Sequence, residues 1–257
     1  MRVFGLGLAA ALVLPALYAE AHFQELIPSQ DVLPDGGEVT LDLLFSHPFD
    51  GGPVMEMARP ARFGVLRAGA VTDLLDTLQG RTVDGRQAWS AAYTLPEPGA
   101  AVFFVEPAPY WEPAEGKFIV HYTKVVVDAY ASGEGWDAMV GLPVEIEPLT
   151  RPTGLWTGNQ FRGVVRAGGE PVPFAEIEVE FLNDGSVVPP NEAFITQVIK
   201  ADGNGVFAYT MPRAGWWAFA ALTEAAEPMQ APDGTLAPVE AGALIWVRAT
   251  DMPDGRN

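Results

Sequence analysis

The sequence predicts an all-β chain that folds into two β-sandwich domains, the second of them Ig-like. Short runs of alternating apolar and polar residues recur along the chain, whereas helical periodicity is hard to find beyond the first 21 residues. Asp-Gly pairs such as Asp35-Gly36 and Asp184-Gly185 separate these runs, and glycine tolerates the positive φ of hairpin turns. With 257 residues, 49% of them hydrophobic, the chain can bury one large core or two ordinary ones.

Eight runs are predicted as strands because they combine alternation with turn residues at their ends. They are EVTLDLLF (38–45), AAVFFVEP (100–107), KFIVHYTKVVVDAY (117–130), FRGVVRAG (161–168), AEIEVEFL (175–182), GVFAYTM (205–211), WWAFAALTEA (216–225) and ALIWVRAT (243–250). In the fifth run Glu176, Glu178 and Glu180 alternate with apolar residues. This pattern is typical of a half-buried strand, so we expect the three carboxylates on a solvated face.

The first 21 residues have the pattern of a secretory signal peptide. Arg2 precedes the apolar run FGLGLAAALVLPALY, and the small-x-small motif Ala19-Glu20-Ala21 follows it. The run is shorter than the roughly 20 residues that a membrane-spanning helix needs, and no later segment is longer. The sequence therefore predicts residues 1–21 as a signal peptide and the remainder as an exported protein that does not span the membrane.

A change in composition predicts the domain boundary. The segment 142–160 contains three prolines and two glycines, and the strand pattern resumes after it. We therefore expect an N-terminal sandwich over residues 22–152 and a C-terminal Ig-like sandwich over residues 153–257, each of an ordinary size for such a domain.

Charge and missing motifs exclude several classes of function. The formal net charge of −18 repels nucleic acid and favours cations. The chain has no cysteine, which excludes thiolate metal sites and cysteine catalysis. It also lacks a GxSxG nucleophile turn and the glycine-rich loops GxGxxG and GxxxxGK[ST] that hold nucleotides. These observations favour a protein that is not an enzyme.

The three histidines are the candidate metal ligands. His22, His47 and His121 all precede residue 153, and imidazole is a common ligand for nickel, copper and zinc. His47 shares a predicted strand face with Val39, Leu41, Leu43 and Phe45, and His121 shares one with Ile119, Thr123, Val125 and Val127. Taken alone, each of these two patterns favours a hydrogen-bonded histidine at the edge of a core over a metal ligand. Pro48 favours a place at a sheet rim for His47, because proline interrupts the ladder of hydrogen bonds.

The role of His22 depends on where the signal peptide is cut. Cleavage after Ala21 makes His22 the first residue, so that its α-amine and imidazole can chelate one ion together with His47 and His121. Cleavage after Ala19 leaves Glu20-Ala21-His22, which offers an amine, two amides and an imidazole in a square plane. Both arrangements suit Ni(II) or Cu(II), and the alternative is a frayed terminus with an incidental histidine.

Four segments carry a resemblance to a known family. They are HPFDGGPVMEMARPARFGVL (47–66), PAPYWEPAEGKFIVHYTKV (107–125), GEPVPFAEIEVEF (169–181) and ADGNGVFAYTMPRAGWWAFAAL (201–222). In this order they resemble the DUF4198 family of periplasmic proteins associated with nickel and cobalt uptake. The resemblance implies an exported two-part β protein, the second part similar to carboxypeptidase-regulatory or Ig-like modules. It also implies a metal-binding role for His22, His47 and His121, although this chain lacks the second histidine that many relatives have close behind the first.

The sequence thus favours a periplasmic, non-enzymatic protein that captures Ni(II) and supports its uptake by a membrane transporter, with Co(II) or Cu(II) as alternative metals. A second hypothesis is a copper carrier or copper enzyme in which His22 and another histidine form a brace, with a tyrosine such as Tyr122 nearby. A third is a structural or interaction module that binds no metal.

Overall fold

The computed structural model describes residues 22–255, so the predicted signal peptide lies outside the described residues. The first strands in chain order are β1 (Phe23–Pro28), β2 (Val32–Leu33), β3 (Gly37–Ser46), β4 (Arg62–Arg67), β5 (Ala70–Asp73), β6 (Gln79–Val83), β7 (Arg86–Leu95), β8 (Gly99–Glu106), β9 (Tyr110–Glu112), β10 (Lys117–Ala129) and β11 (Val144–Pro148). They are followed by β12 (Leu155–Trp156), β13 (Gln160–Ala167), β14 (Glu170–Pro171), β15 (Glu176–Phe181), β16 (Gln197–Lys200), β17 (Val206–Thr210), β18 (Gly215–Glu224), β19 (Met229–Gln230), β20 (Leu236–Ala237) and β21 (Val239–Thr250). The two short helices are 3₁₀ turns, at Leu75–Thr77 and Glu192–Phe194. The prediction of an all-β chain is confirmed.

Residues 22–255 form four sheets, of which three lie in layers and the fourth is the short pair β19-β20. The first sheet has the order β1-β3-β7-β6 and is antiparallel throughout. The middle sheet runs β16-β15-β18-β21-β10-β8-β4-β5, with β2, β9 and β12 paired to its central strands. The third sheet contains β11, β13, β14 and β17. No helix among residues 22–255 has the length and apolar character that crossing a membrane requires.

Two cores separate these layers, which gives the β-sandwich packing that the sequence predicts. The first core lies between the first sheet and one face of the middle sheet and includes Leu41, Phe103 and Trp246. The second core lies between the opposite face and the third sheet and includes Phe161 and Phe219. Because the middle sheet is covered on both faces, its central strands β10 and β21 are buried along almost their whole length.

Strands from both sides of the predicted domain boundary meet in the middle sheet. β21 pairs in parallel with β10, in a register that runs from Phe118 opposite Val239 to Val125 opposite Trp246. Its other edge pairs with β18. β11, which precedes residue 153, belongs to the third sheet. The division near residue 153 stays a prediction, and separating the two parts would break the ladder between β10 and β21.

The prediction that the three glutamates of β15 lie on a solvated face is wrong for two of them. Glu176 is exposed, but Glu178 is half-buried and Glu180 is only 2% exposed. β15 lies between β16 and β18 in the middle sheet, and the segment after β3 packs against it, with Asn183 donating a hydrogen bond to the carbonyl of Phe49. A strand with an alternating pattern is therefore covered on both faces at this end.

Candidate metal centre

The ends of two paired strands bring His22 and His47 together. β1 and β3 are antiparallel, with Phe23 opposite Ser46, so the residue before β1 lies beside the residue after β3. The two imidazole rings meet edge to face with their centroids 4.7 Å apart. The alternation in β3 buries His47 on the face it shares with Phe45, as its sequence pattern predicts.

His121 approaches the same place from the middle sheet. It lies within β10, is 2% exposed, and packs its ring against Phe45 at a centroid distance of 6.1 Å. Phe45 in turn stacks on His22 at 5.7 Å. Burial lowers the pKa of His22, and charge on His47 or His121 would lower it further. We refer to His22, His47 and His121 as the histidine cluster.

Two carboxylates hold the rings at opposite ends of the histidine cluster. Glu112, in β9, lies with Oε2 3.2 Å from Nε2 of His22. Glu240, in β21, lies with Oε1 3.1 Å from Nε2 of His121. Nδ1 of His121 is buried and has no hydrogen-bond partner among residues 22–255. A histidine that donates one ring N–H to a carboxylate and keeps the other nitrogen free has the arrangement usual for a metal ligand.

Burial favours the neutral form of His22. Desolvation, followed by the charge of His47, lowers the pKa of His22 from 6.5, and the Glu112 carboxylate offsets only part of this effect. A neutral imidazole has the lone pair that a metal ion requires. The ring is therefore in the form that binds metal at neutral pH.

Glu240 stays ionised beside His121. Burial alone would raise the pKa of Glu240, but its hydrogen bonds to His121 and Lys117 and the charge of Lys117 lower it. Lys117 donates a hydrogen bond of 2.6 Å to the second oxygen of this carboxylate. Both carboxylate oxygens of Glu240 are thus hydrogen-bonded, one to His121 and the other to Lys117.

The rings of the histidine cluster gather around Phe45, yet they do not form a finished coordination site. Among residues 22–255, no group of three or more His, Asp or Glu side chains could hold a metal ion as it stands. Nε2 of His22 faces Glu112 instead, and the backbone nitrogen of His22 becomes an α-amine only if the chain is cut after Ala21. The assignment of His22, His47 and His121 as metal ligands stays a prediction.

A cleft of about 300 Å³ borders the histidine cluster. Its wall includes His121 and Phe45 together with the thioether of Met57, and the exposed Glu56 also contributes to it. Met55 and Met57 are both buried in the first core, where they pack against other apolar side chains. Tyr110 also lines the cleft, and its ring centroid lies 6.1 Å from that of His22.

Tyr122 does not lie beside the cluster, contrary to the copper hypothesis. It follows His121 in β10, so it projects from the opposite face of the strand and packs against the second core. The tyrosine near His22 is Tyr110. Sequence reasoning missed the roles of Tyr110 and Glu112, although both lie in the segment 107–125 that carries the family resemblance. Glu240 lies outside every motif and has no local signal.

Comparison with solved structures returns distant likenesses. The adhesin InvE of Yersinia pseudotuberculosis is 12% identical over 86% of this chain and 58% of its own, with a TM-score of 0.24. Trypsin-activated alpha-2-macroglobulin from Escherichia coli is 12% identical over 90% of this chain and 16% of its own, with a TM-score of 0.25. A tandem of titin Ig domains is 9% identical over 91% of this chain and 98% of its own, with a TM-score of 0.21. This chain thus spans less than two thirds of the adhesin and of the macroglobulin, and such scores carry no argument about function.

Sequence comparison identifies the family. No curated protein matches the chain. The model of a domain of unknown function, DUF4198, matches residues 19–225, which include the histidine cluster and both cores up to β18. The match covers most of the chain and agrees with the resemblance carried by its four segments. The chain belongs to the DUF4198 family.

Proposed function

We propose that this protein is an exported, non-enzymatic nickel-binding protein that captures Ni(II) and supports its uptake by a membrane transporter. The observation that carries the proposal is the grouping of the three histidines of the chain. His47 meets His22 edge to face, and His121 packs on the ring of Phe45, which stacks on His22. Of the three, His121 lines the adjoining cleft. Histidines that are merely incidental have no reason to meet across two sheets. The transporter and the periplasmic location come from the family resemblance and the predicted signal peptide.

The chain offers donors for a nitrogen-rich site. Nδ1 of His121 is buried and has no hydrogen-bond partner within the described part of the chain, and the rings of His22 and His47 lie within reach of each other. After cleavage behind Ala21, the α-amine of His22 would add a fourth nitrogen. In this proposal the ring of His22 turns from Glu112 toward the ion, and Glu112 remains as a nearby negative charge.

Nitrogen donors without thiolates suit late first-row divalent ions. Ni(II), Co(II) and Cu(II) all accept imidazole and amine ligands, and Cu(II) binds such sites at least as tightly as Ni(II). The net charge of −18 favours any of these cations over anionic ligands. The choice of nickel therefore rests on the family resemblance rather than on the ligands.

The test is a Ni(II) titration of the exported protein, after intact mass has located its first residue. We expect one tight site, lost in His47→Ala and in His121→Ala and retained in Tyr122→Phe, which alters the opposite face of the same strand. Unchanged binding in both histidine variants would rule out this ligand set. If cleavage follows Ala19, a residual site formed by Glu20, Ala21 and His22 would survive both substitutions in the titration, and His22→Ala would then remove it.

One observation favours a copper alternative. His22 and His47 meet edge to face with their ring centroids 4.7 Å apart, and Tyr110 lies close to His22, so two histidines and a tyrosine are neighbours. The same titration with Cu(II), followed by electron paramagnetic resonance, distinguishes the two proposals. A copper signal from the protein as isolated, together with peroxide consumption that Tyr110→Phe reduces, would favour the copper protein. A melting temperature that neither metal raises would favour the module that binds no metal.

A further inference from the structure

The ring of His121 lies directly on the backbone of β21. The two strands pair so that His121 is opposite Gly242. A Cβ atom at position 242 would come within 2.4 Å of Cδ2 and 2.9 Å of Nε2 of His121. No side chain can occupy that space while the ring stays in place. Position 242 therefore requires glycine because a side chain would collide with the ring of His121, and not because of its backbone conformation.

The neighbouring residue on the same face of β21 orients that ring. Glu240 is two residues before Gly242, and its Oε1 lies 3.1 Å from Nε2 of His121. Lys117 lies on the same face of β10 as His121 and donates a hydrogen bond of 2.6 Å to the other carboxylate oxygen of Glu240. An ionised carboxylate accepts hydrogen bonds and cannot donate them. Glu240 therefore selects the tautomer of His121 that carries the proton on Nε2.

We infer that β21 positions His121, with Gly242 providing the space and Glu240 fixing the tautomer that leaves the Nδ1 lone pair free. Nδ1 lies on the ring edge away from Gly242, where it is buried and lacks a hydrogen-bond partner among residues 22–255. The last strand thereby supplies two positioning residues for a site whose candidate ligands all lie before residue 153. This inference deepens the proposed function and rests on it for its biological meaning.

A first experiment tests the positioning without metal. Long-range ¹H–¹⁵N correlation spectra of the metal-free protein report which ring nitrogen of each histidine is protonated. We expect His121 to carry its proton on Nε2 in the wild type. Glu240→Gln, which keeps the shape but can also donate, should shift His121 toward a mixture of tautomers, and Gly242→Ala should displace its ring resonances. A wild-type His121 protonated on Nδ1 would overturn the inference.

A second experiment connects positioning to affinity. We expect Glu240→Gln and Gly242→Ala each to weaken Ni(II) binding by about 10- to 100-fold, the usual effect of losing an outer partner of a ligand histidine. Gly163→Ala is the matched control, because its Cβ would crowd Ile146 and Phe207 in the second core, away from His121. It should leave both the His121 spectrum and the nickel affinity unchanged.

The outcomes separate this inference from the proposed function. If Gly242→Ala does not fold, Glu240→Gln still decides the question. Unchanged tautomer and affinity in Glu240→Gln would overturn the positioning role. A wild type that binds no nickel, yet shows the Nε2–H tautomer that Glu240→Gln disturbs, would refute the nickel proposal and support the positioning.

Discussion

At the scale of single residues, Glu180 shows how a carboxylate can lie inside a sheet. It accepts a hydrogen bond from the hydroxyl of Thr196, and its second oxygen is buried without a partner among the described residues. Burial is the largest influence and raises the pKa of Glu180 to about 7, with Glu178 contributing in the same direction. A carboxyl group that keeps its proton up to about pH 7 avoids most of the cost of burying a charge below that pH.

This burial predicts how stability depends on pH. The folded protein binds the proton of Glu180 more tightly than the unfolded chain, whose pKa is about 4.5. The contribution is therefore complete below pH 4.5 and is lost as pH rises through about 7. We expect the free energy of unfolding of the wild type to fall over this range, with Glu180 accounting for up to about 3 kcal/mol.

Urea denaturation at about pH 5 and about pH 8 measures this effect. Glu180→Gln carries no charge at either pH, so its stability should fall less than that of the wild type. Glu176→Gln is the matched control, because Glu176 occupies the same strand face but is exposed. Equal pH dependence in the wild type and Glu180→Gln would contradict the prediction.

At the scale of elements, a buried ion pair links the middle sheet to the third sheet. Lys124 in β10 is 1% exposed and donates a hydrogen bond of 2.7 Å to Glu145 in β11. The same carboxylate accepts backbone N–H groups from Val140, Gly141 and Leu142. Burial lowers the pKa of Lys124, and the charge of Glu145 opposes that shift. The pair therefore ties the loop before β11 to the centre of the protein.

We predict that removing one partner of this pair costs more than removing both. Lys124→Met leaves the carboxylate of Glu145 buried without its counter-charge, and we expect a loss of about 3–5 kcal/mol in the free energy of unfolding. Lys124→Met combined with Glu145→Gln should recover a large part of that loss. Denaturant unfolding of the single and double variants provides the measurement.

The exposed pair of Lys200 and Glu176 is the comparison for this cycle. Its charged atoms are 3.5 Å apart with most of both side chains in solvent, so Lys200→Met should change stability by less than about 1 kcal/mol. A Lys124→Met variant as stable as Lys200→Met would show that the buried pair does not hold the two sheets together.

At the scale of the whole molecule, the middle sheet is shared by both predicted domains. Trp246 of β21 is fully buried in the first core and donates its indole N–H to the carbonyl of Gln24 in β1. The first core also includes Ala218 and Ala220 of β18. Residues from beyond position 153 thus complete the packing around the strands that carry the histidine cluster.

This sharing predicts that residues 22–152 do not fold alone. The fragment would lose the eight paired positions between β10 and β21 and would expose the first core where Trp246 packs. We expect a fragment without near-ultraviolet circular dichroism and without cooperative urea unfolding, whereas residues 22–257 show both. Adding residues 153–257 in trans should restore the signal. Cooperative unfolding of residues 22–152 alone would instead establish the boundary near residue 153 as a division between independent domains.

Local patterns in the sequence determined the all-β class, the buried face of β3 and the choice of three histidines as candidates, because alternation and residue chemistry act over a few positions. The tertiary structure alone decided that Glu180 is buried, that Tyr110 rather than Tyr122 lies near His22, and that β21 adjoins β10. It also brought Glu240 and Gly242 to His121. These contacts join residues far apart along the chain, and pairing between distant strands leaves no periodic trace in either segment.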